Sequence, residues 1–95
     1  MTTVISREMG ITHSEFFRLF PLAAEGYDYA IEGDTVIVNR GHRNLTIRLS
    51  AEGERRIALL AVPVTHVEFE FNGFTEGEIG EFMGRFDRAY QRGGG

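Results

Sequence analysis

Two helix-start signals, Thr12-His13-Ser14-Glu15 and Thr75-Glu76-Gly77-Glu78, bracket a long stretch of strand pattern. Each reads as a capping box: the Thr oxygen accepts from a free backbone N–H of the first turn, and the Glu reaches back to the cap. Apolar residues at helical spacing follow both. After Thr12, Phe16, Phe17, Phe20, Ala23 and Ala24 share one face. After Thr75 the stripe is Ile79, Phe82, Met83, Phe86 and Tyr90. A chain so marked must place a helix, a block of strands and a second helix in that order. Pro21 lacks the N–H that would bond to Phe17, so the first helix is expected to kink or end at Phe20, and Gly26 closes the element.

Between the helices the period is two. Tyr27, Tyr29 and Ile31 alternate with polar neighbours, Gly33-Asp34 suits a tight hairpin turn, and Thr35–Arg40 is β-branched. After a turn at Gly41-His42-Arg43-Asn44, Leu45, Ile47 and Leu49 alternate with Thr46, Arg48 and Ser50. A third turn is expected at Ala51-Glu52-Gly53-Glu54. The apolar run Ile57–Val62 suits either a strand covered on both faces or a short buried helix, and its length after a Gly turn favours the strand. Pro63 cannot donate to a ladder and marks a bend or bulge. Thr65, Val67, Phe69 and Phe71 then form an alternating strand that ends at Gly73. Thr2–Arg7 adds a short first strand.

The expected class is α+β: a single antiparallel sheet of about five strands with two helices on one face, in the order β-α-β-β-β-β(-β)-α. The chain, residues 1–92, makes one domain, and Gly93–Gly95 is a flexible tail. This layout resembles a single unit of the TATA-binding-protein-like folds. The resemblance lies in architecture, with no shared motif. The DNA-reading members of that group use a basic sheet face, whereas His66, Glu68 and Glu70 occupy the corresponding outward positions here.

Composition removes several kinds of chemistry. The chain has no Cys, so thiol catalysis, disulfides and Cys-ligated metals are excluded. It has no Lys and no P-loop, no Gly-x-Ser-x-Gly elbow and no His-Glu-x-x-His pair. The net charge of −4 weighs against non-specific nucleic-acid binding. The N-terminus has no signal-peptide pattern, no apolar stretch approaches ~20 residues, and a cytoplasmic location is the default expectation. No cofactor is implied. The row His66, Glu68, Glu70 is read as a wet sheet face paired with Arg48 in preference to a metal site.

Three functional readings follow. The first is a non-enzymatic binding or assembly module that forms a homodimer. It rests on a glycine stripe, Gly77, Gly80 and Gly84, where another backbone could approach, and on outward apolar residues Ile37, Ala58, Leu60 and Val62. The second is a small-molecule binding protein or enzyme. Its pocket would lie between sheet and helices, lined by Tyr27, Tyr29, Phe69, Phe71, Phe82 and Phe86, with His13 at the rim as a general base or as a packed aromatic. The third is contact with an anion or nucleic acid through Arg40, His42, Arg43 and Arg48, residues that a solvated hairpin tip also explains. Arg85, Arg88 and Arg92, with Glu81 one turn before Arg85, form a cationic helix face.

Overall fold

A computed structural model describes residues 2–92 of the chain. Six strands and two helices follow one another as β1 (Thr2–Met9), α1 (His13–Ala23), β2 (Asp28–Glu32), β3 (Thr35–Arg40), β4 (Arg43–Leu49), β5 (Gly53–Ile57), β6 (Leu60–Asn72) and α2 (Glu76–Arg92). All pairings are antiparallel. The strands lie in the order β1-β6-β4-β3-β2, and β5 pairs with β6 alone. This is the α+β class expected, with both helices over one face of the sheet.

The registers explain which residues face inward. Phe69 stands between Ile5 and Ile47, and Ile47 opposes Val36. One row further, Phe71 stands between Thr3 and Leu45, and Leu45 is followed by Val38 and Tyr29. Successive residues alternate faces, so these rows put the β-branched and aromatic side chains under the helices. Phe16, Leu19, Phe20 and Ala23 meet them from α1, and Ile79, Phe82, Met83, Phe86, Ala89 and Tyr90 from α2. The fully buried Phe16 touches Phe86 and Tyr90, which ties the two helices together.

The caps differ in detail. At α2 the box is complete: Glu78 N donates to Thr75 Oγ1 at 3.1 Å, and Thr75 N donates to Glu78 Oε1 at 2.8 Å. At α1 only half forms. Glu15 N donates to Thr12 Oγ1, while the Glu15 carboxylate turns to Arg18. The free N–H of His13 is taken instead by Glu52 Oε2, at 2.9 Å, from a distant part of the chain.

Several local expectations need correction. The helix expected to stop at Phe20 runs through Pro21 to Ala23, because the proline falls in the last turn and Ala24 N still closes onto Phe20 O at 3.0 Å. The turn after β3 tightens to Gly41-His42, so Arg43 and Asn44 join β4 opposite Arg40 and Asn39. The stretch expected to turn at Ala51-Glu52-Gly53-Glu54 gives its last two residues to β5. The run Ile57–Val62 is neither one covered strand nor a helix. It is cut by a turn at Ala58-Leu59, with Ala58 in the left-handed region at φ 55°, and every residue from Ile57 to Ala61 is exposed. Pro63 causes no break in pairing: it stands opposite Glu54 in an unbroken ladder. Its missing N–H costs nothing there, because this part of β6 has a neighbour on one side only.

The departure from regular pairing lies on the opposite strand. Leu49 pairs with Val67 and Gly53 with Val64, so Ser50, Ala51 and Glu52 face only Thr65 and His66. That is a one-residue β-bulge. With the bulge, β4, β5 and β6 form one long two-stranded ribbon whose far part, Gly53 to Val64, projects past the sheet as an arm. The molecule accordingly measures 47 × 23 × 22 Å.

Candidate functional site

The arm is the part of the molecule that its core does not explain. At its apex Leu59 is 98% exposed, Leu60 68% and Ile57 56%. Behind the apex on β5 stand Arg55 and Arg56. These large apolar side chains are grouped in water on a projecting element.

The root of the arm is fastened to the body on both strands. Ser50 N donates to His66 O at 2.8 Å, and His66 N donates to Ser50 Oγ at 2.9 Å, which closes the bulge. The His13 Nε2 lies 2.6 Å from Ser50 O. A carbonyl oxygen only accepts, so Nε2 carries the proton. Glu52 holds the first N–H of α1, as described above. On the other strand, buried Thr65 donates its hydroxyl to Ile11 O at 2.8 Å. Arg55 Nη2 reaches Glu8 Oε1 of β1 at 2.6 Å. His13 therefore acts as a strut between the start of α1 and the base of the arm, with its ring edge-on to Phe17.

The outer face of the sheet, opposite the helices, is polar. Arg48 lies between Glu68 Oε1 at 3.2 Å and Glu70 Oε1 at 2.8 Å. Arg48 holds the Glu70 carboxyl below its ordinary value, with a smaller contribution from Asn72. An open depression of about 530 Å³ at the arm's root on this face is lined by Ser6, Glu8, Arg48, Ser50, His66 and Glu68 among others. Among the described residues no group of three or more His, Asp or Glu is placed to hold a metal ion, and no helix is long and apolar enough to cross a membrane.

The residues singled out from the sequence fall in different places. Phe69, Phe71, Phe82 and Phe86 are buried and pack ring against ring, Phe69 on Phe86 at 4.9 Å and Phe71 on Phe82 at 5.9 Å. Tyr27 packs on Phe82 and Tyr29 on Phe20 at the margin of the same cluster. His13 points away from it, to the arm. Among the described residues, no backbone from another element lies against Gly77, Gly80 and Gly84 of α2: a Cβ at Gly80 would meet nothing within 4 Å, and one at Gly84 only the Arg88 guanidinium. The first helix of the same chain is therefore not what the stripe accommodates. Ile37 is half-buried on the outer sheet face beside Thr46, whereas Leu60 stands at the arm's apex, so the apolar residues expected to form one outward patch are divided.

The arginines are likewise engaged separately. Arg40 lies over the Tyr27 ring at 4.8 Å, and Arg43 pairs with Glu78 beside Phe74. His42 is exposed in its turn. Arg85 donates to Glu25 O at 2.8 Å, across from the end of α1. The side chain of Arg92 and the glycine tail lie outside the described residues.

Leu59, Arg55, Arg56 and the bulge residues were not marked as functional by the sequence reading. The available signal was the unbroken apolar run itself, which a buried element and an exposed hairpin tip share. No Gly or Asn stood at Ala58-Leu59 to announce a turn. The chain matches no protein-family model, and no curated protein matches it. Fold and site together describe a small α+β domain that displays an anchored apolar hairpin.

Proposed function

We propose that this protein is a non-enzymatic assembly module that associates with a second copy of itself through the hairpin arm. The observation that carries this reading is the apex: Ile57, Leu59 and Leu60 exposed together on an element fastened to the body at its root. Burying such side chains is worth about 1.5–3 kcal/mol each, and leaving them in water forfeits that gain unless a partner covers them. The aromatic residues that could have lined a ligand pocket are spent on the core. The arginines that could have met an anion are already bonded to carboxylates, a carbonyl or aromatic faces. Both facts favour assembly over the two other readings.

The test is the sedimentation behaviour of the wild type and of a Leu59→Ser/Leu60→Ser variant. The wild type is expected to form dimers at micromolar concentration. The variant is expected to be monomeric with stability within about 0.5 kcal/mol of the wild type, since both side chains are exposed in the single chain. A wild type that stays monomeric at millimolar concentration would refute the reading.

A further inference from the structure

Among the described residues, β5 has β6 on one side and no strand on the other, so its outer edge presents unpaired N–H and C=O groups. Such an edge is a template for another strand. The opposite edge of the arm, along β6, is broken by Pro63. Only the β5 edge offers a continuous run.

We infer that two copies pair along β5, antiparallel about a two-fold axis at Arg55, and join their arms into one four-stranded sheet. This rests on the self-association reading above and specifies its geometry. A closed two-fold contact needs a surface complementary to itself, and Gly53-Glu54-Arg55-Arg56-Ile57 is such a sequence. Read against its own reverse, Glu54 of each copy opposes the partner's Arg56, which gives two cross-strand ion pairs. Ile57 opposes the partner's Gly53, where no side chain blocks it. Within one chain Gly53 pairs with Val64 and Ile57 with Leu60, so one face acquires an apolar row of Leu60, Ile57 and the partner's Val64. Arg55 opposes the partner's Arg55, but each is already matched by Glu8 of its own chain at 2.6 Å.

Neighbouring registers lack this match. An axis at Glu54 sets Glu54 against itself, and its one opposite-charge pairing calls on Glu52, which already holds the His13 N–H. An axis at Arg56 sets Arg56 against itself and leaves Glu54 opposite an alanine. Exposed ion pairs add little affinity, but they select register and partner. The main-chain ladder and the apolar row hold the contact together. In the single chain, Arg56 leans on Glu54 at 3.4 Å with both largely exposed, so neither is committed elsewhere.

Two charge reversals test the arrangement. Glu54→Arg and Arg56→Glu each place like charges at both cross-strand positions of the homodimer. Each variant alone is expected to associate about tenfold or more weakly than the wild type. An equimolar mixture of the two restores both opposite-charge pairs, so sedimentation of the mixture is expected to show dimers at concentrations where either variant alone is monomeric. Recovery on mixing also rules out misfolding as the cause of the loss. A wild-type dimer whose affinity neither reversal alters, or loss without recovery on mixing, would overturn the β5 pairing while leaving self-association standing. A wild type that is monomeric throughout overturns both, including the case where it binds vesicles of anionic phospholipid as a monomer.

Discussion

Tyr90 shows how a single polar atom is accommodated in the aromatic core. Its hydroxyl donates to Phe16 O at 2.7 Å, and its ring packs on Phe86 at 4.3 Å. Burial holds the phenol far above its ordinary value, with a smaller push from Tyr29. The folded-state value is raised, so the neutral phenol contributes stability that is complete below the ordinary tyrosine value of about 10 and is lost as pH rises beyond it. Tyr90→Phe is expected to cost about 1 kcal/mol at neutral pH and to flatten the fall in stability above about pH 10, both measurable by urea denaturation. The opposite sign holds for Glu70. Its lowered value means that the contact with Arg48 stabilises above the ordinary carboxylate range and is lost as pH falls through the folded-state value. At this scale the sequence was informative about type, and the alternation of two strands also gave Arg48 its partners Glu68 and Glu70, but it was silent about contacts outside such a pattern. His13 and Glu52 are far apart in the chain, and nothing in either residue's neighbours announces that they meet.

Among the elements, α2 carries a local contradiction. Gly77, Gly80 and Gly84 weaken a helix that is otherwise well capped and well packed. Nothing among the described residues explains Gly80, whose Cβ position is open. Gly80→Ala is therefore expected to raise stability by about 1 kcal/mol, measured as a higher denaturation midpoint with unchanged m-value. An unchanged or lower midpoint would mean that the open space is filled by another chain. The helices and the inner strands were legible because their side-chain period survives in the sequence: three to four for the helix stripes, two for Leu45, Ile47, Leu49 and for Val67, Phe69, Phe71. The arm was not legible. Burial imposes the alternation by which strands are recognised, and an element built outside the core has none to display. Ala58 also occupies a left-handed turn position that sequence rules reserve for Gly or Asn.

At the scale of the whole molecule, a compact helix-covered sheet supports a projecting ribbon that it does not need for its own core. The stability of the two parts should then separate. Loss of the His13 strut is expected to loosen the arm without melting the body. For His13→Ala we expect cleavage by trypsin at Arg55 and Arg56 to accelerate several-fold while the global unfolding free energy falls by only about 1 kcal/mol. Equal loss in both measurements would show that arm and body unfold as one. Fold class, helix placement and the helix-covered face followed from patterning and caps, which are local. The site did not, because it depends on where the β4–β6 ribbon outruns its neighbours, and that is a property of relative lengths.

The extra residue at Ser50-Ala51-Glu52 has a consequence for parity. By residue number alone, Arg55 and Ile57 have the parity of Leu45, Ile47 and Leu49, which point to the helix side; the extra residue breaks that parity, and they stand instead opposite Val62 and Leu60, on the side of Glu8 and His66. A single deletion in this stretch is consequently absorbed where it occurs: two residues would then oppose Thr65 and His66 in a regular ladder, and the continuous β6 would keep both faces of the arm as they are.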